Sequence, residues 1–308
     1  MILEIVVIVI SIGALWVGAR WLVDSASRIA RLLGVSDLVI GLTIVALGTS
    51  APEFAVTVMA ALKGYSNISV GNIVGSNIFN LGFILGGVAI VHQLRITPKL
   101  VYRDGLFLLT LSVLLLFFFR DLTLTHLEGA VLFLLLVLYL GYLFWRREPR
   151  DIIEADEPPA VKGTWKDIPF LFMGLILVLG GSHLLVESAT TIAHAVGISD
   201  WVIGVTIVAA GTSAPEFVTS LMASLSGRHS LAAGNLIGSD IFNLAGVLGL
   251  AGMLRPLHID PSATGSLYML VGMIAIVILF MRSGWLLTRA EGVFLVLLGL
   301  VRWIMDFS

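Results

Sequence analysis

Glu53 and Glu216 are carboxylates placed where a carboxylate is costly. Each closes the same hexapeptide inside an apolar stretch, Gly48-Thr49-Ser50-Ala51-Pro52-Glu53 and Gly211-Thr212-Ser213-Ala214-Pro215-Glu216. Each is followed at the same distance by a second motif, Gly71-Asn72 with Gly75-Ser76-Asn77-Ile78-Phe79-Asn80, and Gly234-Asn235 with Gly238-Ser239-Asp240-Ile241-Phe242-Asn243. Proline has no N–H and opposes a regular preceding turn, so Pro52 and Pro215 free the carbonyls of Gly48 and Gly211. With a glycine four residues before each proline, the helix is expected to unwind and turn the carbonyls around Ala46–Thr49 and Ala209–Thr212 toward a cavity. Non-helical backbone at membrane depth persists only where protein, water or an ion satisfies it. Thr49, Ser50, Thr212 and Ser213 add hydroxyl oxygens, and the glutamates add negative charge. Ser76 and Asn80, four residues apart, share one helical face, as do Ser239 and Asn243. Hard cations want such a set: Ca²⁺ takes about 6–8 oxygens at about 2.3–2.6 Å, carboxylates and carbonyls foremost. Two glutamates neutralise one divalent ion.

The elements that must carry these residues are membrane helices. The 308 residues are 58% hydrophobic and 12% charged, with a mean hydropathy of +1.04, far outside the soluble globular range. Spanning a hydrocarbon core of about 30 Å takes roughly 20 helical residues. Ten such segments can be drawn, near 2–23, 38–62, 69–91, 101–119, 126–145, 167–187, 200–225, 232–252, 265–281 and 288–306. The first has no small-residue cleavage site after a short apolar core and reads as a retained span. A constant offset of 163 positions, the distance from Glu53 to Glu216, aligns nearly all of one half with the other. Asp24-Ser25-Ala26 meets Glu187-Ser188-Ala189, Pro98 meets Pro261, and Glu128-Gly129 meets Glu291-Gly292. The expected organisation is an all-α integral membrane protein of two five-helix repeats, 1–145 and 164–308, joined by a charged, proline-containing linker over 146–163.

Five spans return the chain to the opposite side, so the second repeat must enter the membrane inverted. Lys and Arg concentrate on the cytoplasmic side. With the linker inside, 14 of the 18 basic residues fall inside and only Lys63, Arg120, Arg255 and Arg302 fall outside. Both termini are then expected to be extracellular, with the protein multi-pass in the cell membrane. Arg28 and Arg31 align with Thr191 and His194, and Arg95, Lys99 and Arg103 with His258, Ser262 and Ser266, so basic charge is lost where the inverted copy's loops are external.

The paired motifs resemble the two alpha-repeats of the sodium/calcium exchanger family, within the cation/calcium exchanger superfamily, and the likeness covers both halves as in its prokaryotic members. The resemblance implies a secondary antiporter that exchanges Ca²⁺ for several Na⁺ by alternating access. It implies Glu53 and Glu216 as central ligands shared by both ions. Thr49, Thr212, Ala46 and Ala209 would give backbone carbonyls, Ser50, Ser213, Ser76 and Ser239 hydroxyls, and Asn80 and Asn243 the central amides. Potassium-dependent relatives carry Asp where this chain has Asn243, which argues against potassium coupling. A carboxylate stands instead at Asp240, where the first copy has Asn77. It lies about 300° around the helix from Asn243, so its expected roles are ion contact at the cavity edge, packing, or an external gate.

Other readings stay open at this stage. The same glutamates could carry protons once raised in pKa by burial, which makes Ca²⁺/H⁺ exchange the alternative coupling. An intramembrane hydrolase using Ser50 or Ser213 lacks a nearby His or Lys base and leaves the duplication unexplained; a passive cation channel is a third possibility. No enzyme activity and no cofactor are called for. The expected partners are the lipid bilayer and the transported Ca²⁺ and Na⁺, with no nucleic acid, and a monomer suffices for transport. Asp37, Asp200, Glu128 and Glu291 fall near helix starts, where they are expected to supply N-terminal charge or capping; Asp24 and Glu187 are expected at the interface. The absence of Cys excludes disulfides and thiolate sites, and the six His form no spaced metal pair. Trp16, Trp21, Trp145, Trp165, Trp201, Trp285 and Trp303 lie at or near segment ends, and most of them read as interfacial anchors.

Overall fold

The computed structural model describes residues 2–146, 163–197 and 209–307. Most of the linker expected over 146–163 lies outside the described residues, as do Asp200, Trp201 and the start of the span expected over 200–225. The first half comprises α1 (Ile2–Leu33), α2 (Asp37–Thr49), α3 (Ala51–Lys63), α4 (Ser66–Val91), α5 (Leu100–Asp121) and α6 (His126–Arg146). The second comprises α7 (Asp167–Ala195), α8 (Ala209–Thr212), α9 (Ala214–Leu225), α10 (His229–Leu254), α11 (Thr264–Arg282) and α12 (Arg289–Phe307). Among the described residues seven helices are long and apolar enough to cross a membrane, eight when α2 and α3 count as one bent span. Of the ten expected spans, the other two are α12, which carries Arg289, Glu291, Arg302 and Asp306, and the partly described 200–225.

Apolar side chains cover the outside as well as filling the core, and the buried interior also holds acidic and amide groups. Ile2, Ile5, Val9 and Trp16 of α1 and Leu134, Leu138 and Trp145 of α6 are exposed, while Glu53, Glu216, Asp240, Asn80 and Asn243 are buried. The central helices are α4 and α10, whose apolar windows are 72% and 83% buried, against 22% for α1.

Proline and glycine punctuate the helices where the sequence places them. Between α2 and α3 the axis bends by 53° at Ser50, whose backbone leaves the helical region at φ −78°, ψ 12°, two residues before Pro52. Ser213 repeats the break at φ −92°, ψ 6°, before Pro215. Gly64 and Gly227 take left-handed φ of 86° and 72° in the turns before α4 and α10, a conformation that costs glycine nothing. Wide π-helical turns open at Asn80–Ile84 in α4 and Phe242–Val247 in α10, a feature frequent at functional sites.

Several contacts between the halves recur at the 163-residue offset. Two short antiparallel ribbons form, β1 (Leu94–Arg95) with β4 (Leu286–Leu287), and β2 (Thr123–Leu124) with β3 (Leu257–His258); each is the image of the other. Gly86 packs on the Gly292 carbonyl, as Gly249 packs on that of Gly129. In the equivalent helices α1 and α7, Gly18 meets Gly174 while Gly181 meets Ser11, so higher numbers on one helix face lower numbers on the other. A twofold operation that reverses equivalent helices has its axis perpendicular to them, in the plane of the membrane. The repeats are therefore inverted, as the span count requires.

Of the acidic residues expected at helix starts, Glu128 and Glu291 cap them. Glu128 accepts from Thr125 N–H at 2.8 Å while its own N–H reaches Thr125 Oγ1, and Glu291 does the same with Thr288, a capping box in each half. Asp37 stands in the first turn of α2 as an N-terminal charge; Ser36 supplies the cap through Val39 N–H at 3.3 Å, and the Asp37 carboxylate turns to Ser27 and Arg228. Asp24, expected merely at the interface, also pairs with Arg228, at 3.1 Å. Arg228 lies next to Gly227 and is folded inward, and sequence spacing could not show which helix ends it meets.

Candidate cation site

The prolines bring the two glutamates to the crossing of the halves. Glu53 enters on the first turn of α3 and Glu216 on the first turn of α9, each 1% exposed. Each is held by the other repeat. Ser213 Oγ donates to Glu53 Oε1 at 3.1 Å, and Ser50 Oγ donates to Glu216 Oε1 at 2.9 Å. Thr212 also bonds to Glu53, and Thr49 and Ser239 lie against the Glu216 carboxyl.

The asparagines repeat this exchange one layer away, on α4 and α10. Asn80 Nδ2 donates to Asp240 Oδ1 at 3.0 Å, and Asn243 Nδ2 donates to Asn77 Oδ1 at 3.0 Å. With their NH₂ groups committed, Asn80 and Asn243 present their carbonyl oxygens, and neither oxygen has a hydrogen-bond partner. Nor do Glu53 Oε2, Glu216 Oε2 and Asp240 Oδ2. Leaving a buried polar atom unsatisfied costs about 1–3 kcal/mol, more when it is charged. Five such oxygens, four of them in symmetry-related pairs, form an acceptor-only surface whose natural complement is a cation.

The hydroxyls fit the same chemistry. Ser50 and Ser213 spend their protons on the glutamates, and Ser76 donates to the Asn72 carbonyl, so their oxygen lone pairs stay available to a cation. Thr49 Oγ1 lies 3.3 Å from both the Ala46 carbonyl and Asn235 Oδ1. The backbone carbonyls are more committed than the proline argument implies. Ala46 O accepts from Ser50 N–H at 3.0 Å as well as facing Thr49, and Gly211 O accepts from Ser182 Oγ of α7 at 2.7 Å. The freed Gly211 carbonyl is thus satisfied by protein rather than turned into a cavity. Ala209 and Thr212 occupy the single turn of α8 that precedes the break.

No ion pair among the described residues reaches either glutamate, so basic side chains do not neutralise the site. Nor do three acidic or histidine groups converge as a preformed metal cluster among the described residues. Three carboxylates, Glu53, Glu216 and Asp240, lie among amides and hydroxyls. Asp240 is fully buried, its Oδ1 accepting from Asn80 and its Oδ2 without a partner.

Sequence reasoning assigned no role to Asn72, Asn235, Asn77, Thr57 or Ser220, and these brace the site. Asn72 Nδ2 donates to Thr57 Oγ1 and Asn235 Nδ2 to Ser220 Oγ, both at 2.9 Å, tying α4 to α3 and α10 to α9. Asn77 Nδ2 reaches the Asp240 main-chain oxygen at 3.1 Å. Their signal was available: Asn72 and Asn235 stand in both copies of the second motif, at the same offset as the glutamates.

Comparison with known proteins agrees with this arrangement. The family model described as sodium/calcium exchanger protein matches residues 3–145 and 166–301. CaxA of Alkalimonas amylolytica is 40% identical over 297 residues, covering 92% of both chains. The sodium/calcium exchanger MaX1 of Methanosarcina acetivorans is 32% identical, covering 91% of both. The solved structure of the sodium-calcium exchanger NCX_Mj soaked with zero Na⁺ and Ca²⁺ superposes with a TM-score of 0.87 at 32% identity, covering 100% of this chain and 99% of that one. An inverted pair of repeats around a buried, acceptor-rich site, matched along its whole length by a transporter family and its structures, leaves one assignment: the chain belongs to the sodium/calcium exchanger protein family, as a multi-pass membrane cation antiporter and not an enzyme.

Proposed function

We propose that the protein exchanges Na⁺ for Ca²⁺ by alternating access, with Glu53 and Glu216 as ligands common to both ions. The observation that carries this reading is the reciprocal hold on the glutamates, which presents Glu53 Oε2 and Glu216 Oε2 from opposite repeats without a partner. Two carboxylates neutralise one Ca²⁺, and with the Asn80 and Asn243 oxygens they supply four of the about 6–8 donors it takes. Hydroxyls of Ser50, Ser213, Ser76 and Ser239 and carbonyls at Ala46, Thr49, Ala209 and Thr212 complete the shell. The same donors, divided among several subsites, serve monovalent Na⁺, so either ion satisfies the carboxylates and the two compete. Asp240 borders the set through Asn80. Sodium-coupled relatives and structures support the ion pair by similarity.

Proton coupling at the same glutamates is the second reading, favoured by their burial without a basic partner. Radioactive Ca²⁺ uptake into proteoliposomes separates the two: an outward Na⁺ gradient drives uptake in the first, and a pH gradient alone drives it in the second. The topology that goes with this reading places the linker over 146–163 in the cytoplasm and both termini outside. A reporter fused to the C-terminus tests it by its side of activity.

A further inference from the structure

The two ends of the molecule are not equally tied. At one end Arg228, in the turn between α9 and α10, is 8% exposed and collects partners from two directions. It lies 3.1 Å from Asp24 of α1 and 3.7 Å from Asp37 of α2. It also donates to Ser27 of α1, which in turn donates to Asp37. A guanidinium supplies several donors in a rigid fork, so one side chain bridges α1 to the bundle that carries the site. At the same end Arg28 of α1 pairs with Asp167 of α7 at 2.7 Å, which joins α1 and α7 to each other.

The symmetry-related end has none of this among the described residues. The counterparts of Arg228, Asp24, Arg28 and Asp167 are Tyr65, Glu187, Thr191 and Glu4. Tyr65 is 59% exposed, Glu187 meets only His183 of its own helix, at 3.9 Å, and the Thr190 hydroxyl, counterpart of Ser27, is buried without a partner. The seam between α1 and α7 is lined by Gly18, Gly174 and Gly181, which lets the backbones touch. Among the described residues, the charged ties that fasten this pair therefore lie at one end.

We propose that the Arg228 cluster is a conformational latch. It holds α1 against the bundle at its own end, keeping that end closed, and the replacement of its arginine by Tyr65 at the opposite end sets the resting preference between the two faces of the transporter. The latch rests on the alternating-access reading above. Breaking a buried ion pair by removing one partner strands the other charge, so Arg228→Tyr, which installs the residue of the other repeat, releases α1 and shifts the population toward the opposite face.

The chain contains no cysteine, so single cysteines report accessibility without background. Val35→Cys, at a position 5% exposed beside Asp37, reports the latched end, and Thr190→Cys reports the far end. Maleimide labelling is followed in proteoliposomes in choline buffer with a chelator, which needs no knowledge of the transported ion. In the Arg228→Tyr background, labelling at position 35 is expected to rise roughly tenfold or more, a shift of about 1.4 kcal/mol, while labelling at position 190 falls. Unchanged labelling at both positions overturns the latch. A rise at both also overturns it, because local loosening opens one end without closing the other. If Arg228→Tyr does not fold, Asp24→Asn, at a side chain about one-third exposed, is read by the same criteria with smaller changes. Gradient-driven Ca²⁺ uptake by the wild type is measured in parallel. Its absence refutes the antiport reading, whereas uptake with unmoved reporters refutes the latch alone.

Discussion

Replacing Glu216 by Gln should move stability and ion binding in opposite directions. The amide keeps the shape of the carboxylate, so its oxygen can still accept from Ser50 at the 2.9 Å contact. At the position of Oε2 it places an NH₂, turning an unpartnered acceptor into a donor that repels a cation. Removing one partner of a buried charge pair typically costs about 3–5 kcal/mol, which corresponds to a loss of about 10²–10³·⁵ in Ca²⁺ affinity. Without the ion the sign reverses. A charged side chain at mid-membrane costs about 2.5–3.5 kcal/mol, so the neutral amide should leave the ion-free protein at least as stable as the wild type. A ligand at about 100 times its Kd stabilises by about 2.7 kcal/mol. Wild-type protein should therefore melt several degrees higher in saturating Ca²⁺ than in chelator, and Glu216→Gln should show no such shift. Glu53→Gln should behave alike, since Ser213 holds Glu53 in the mirrored bond. Detergent thermal melts with and without Ca²⁺, paired with flux in proteoliposomes, read both effects. A variant that keeps the Ca²⁺-dependent shift and transports within a few-fold of wild type would refute the shared-ligand argument.

Three further outcomes follow from the same geometry. Asn243→Ala deletes a presented carbonyl oxygen and strands Asn77 Oδ1, which accepts from it at 3.0 Å; Ca²⁺ affinity should fall about tenfold or more in isothermal titration, with melting lowered by a degree or more. Asp240→Asn makes the second motif match the first. It should alter the Na⁺ dependence or pH profile of flux more than Ca²⁺ affinity, because Asp240 meets the site through Asn80; a large loss of Ca²⁺ binding with unchanged coupling would contradict this. Gly18→Leu inserts a side chain whose Cβ would lie 2.7 Å from Leu177 Cβ and 2.9 Å from the Gly174 carbonyl oxygen. Overpacking of this kind costs about 1–3 kcal/mol, so melting should drop and turnover slow while equilibrium ion binding changes little.

The duplicated motifs made much of this protein legible, because a repeat in sequence becomes a symmetry in space. The offset of Glu53 and Glu216 predicted one site from two halves, and the odd span count predicted inversion; the antiparallel match of Gly18 with Gly174 and Gly181 with Ser11 bears the inversion out. What stayed hidden are partners chosen by packing rather than by spacing. Asp37 reads as a helix-start residue, yet Ser36 takes the cap and Asp37 meets Arg228, which is 191 positions away. The carbonyl of Gly211 is freed by Pro215 as expected, yet Ser182 of another helix claims it. The first half has Ala19 at the position of Ser182, so the repeat itself gave no warning.

The crossing of the hydrogen bonds limits how such a site can alternate. Each glutamate is held by a serine of the other repeat, and each central asparagine by residue 77 or 240 of the other repeat. Bonds to charged groups are worth about 1.5–3 kcal/mol and neutral ones about 0.5–1.5 kcal/mol, so parting the halves at the site, with three bonds to carboxylates and one between amides, would forfeit about 5–10 kcal/mol, at the moment when the ion must also stay bound. Neither half holds a complete site alone. Movement that leaves α3, α4, α9 and α10 together and shifts the helices around them avoids that cost. The Gly18, Gly174 and Gly181 seam marks α1 and α7 as one such pair, joined to each other across small residues. Under the proposed alternating access, the cation would then stay in place while access to it changes sides, and the barrier to that change would reside at the ends of α1 and α7 rather than at the glutamates.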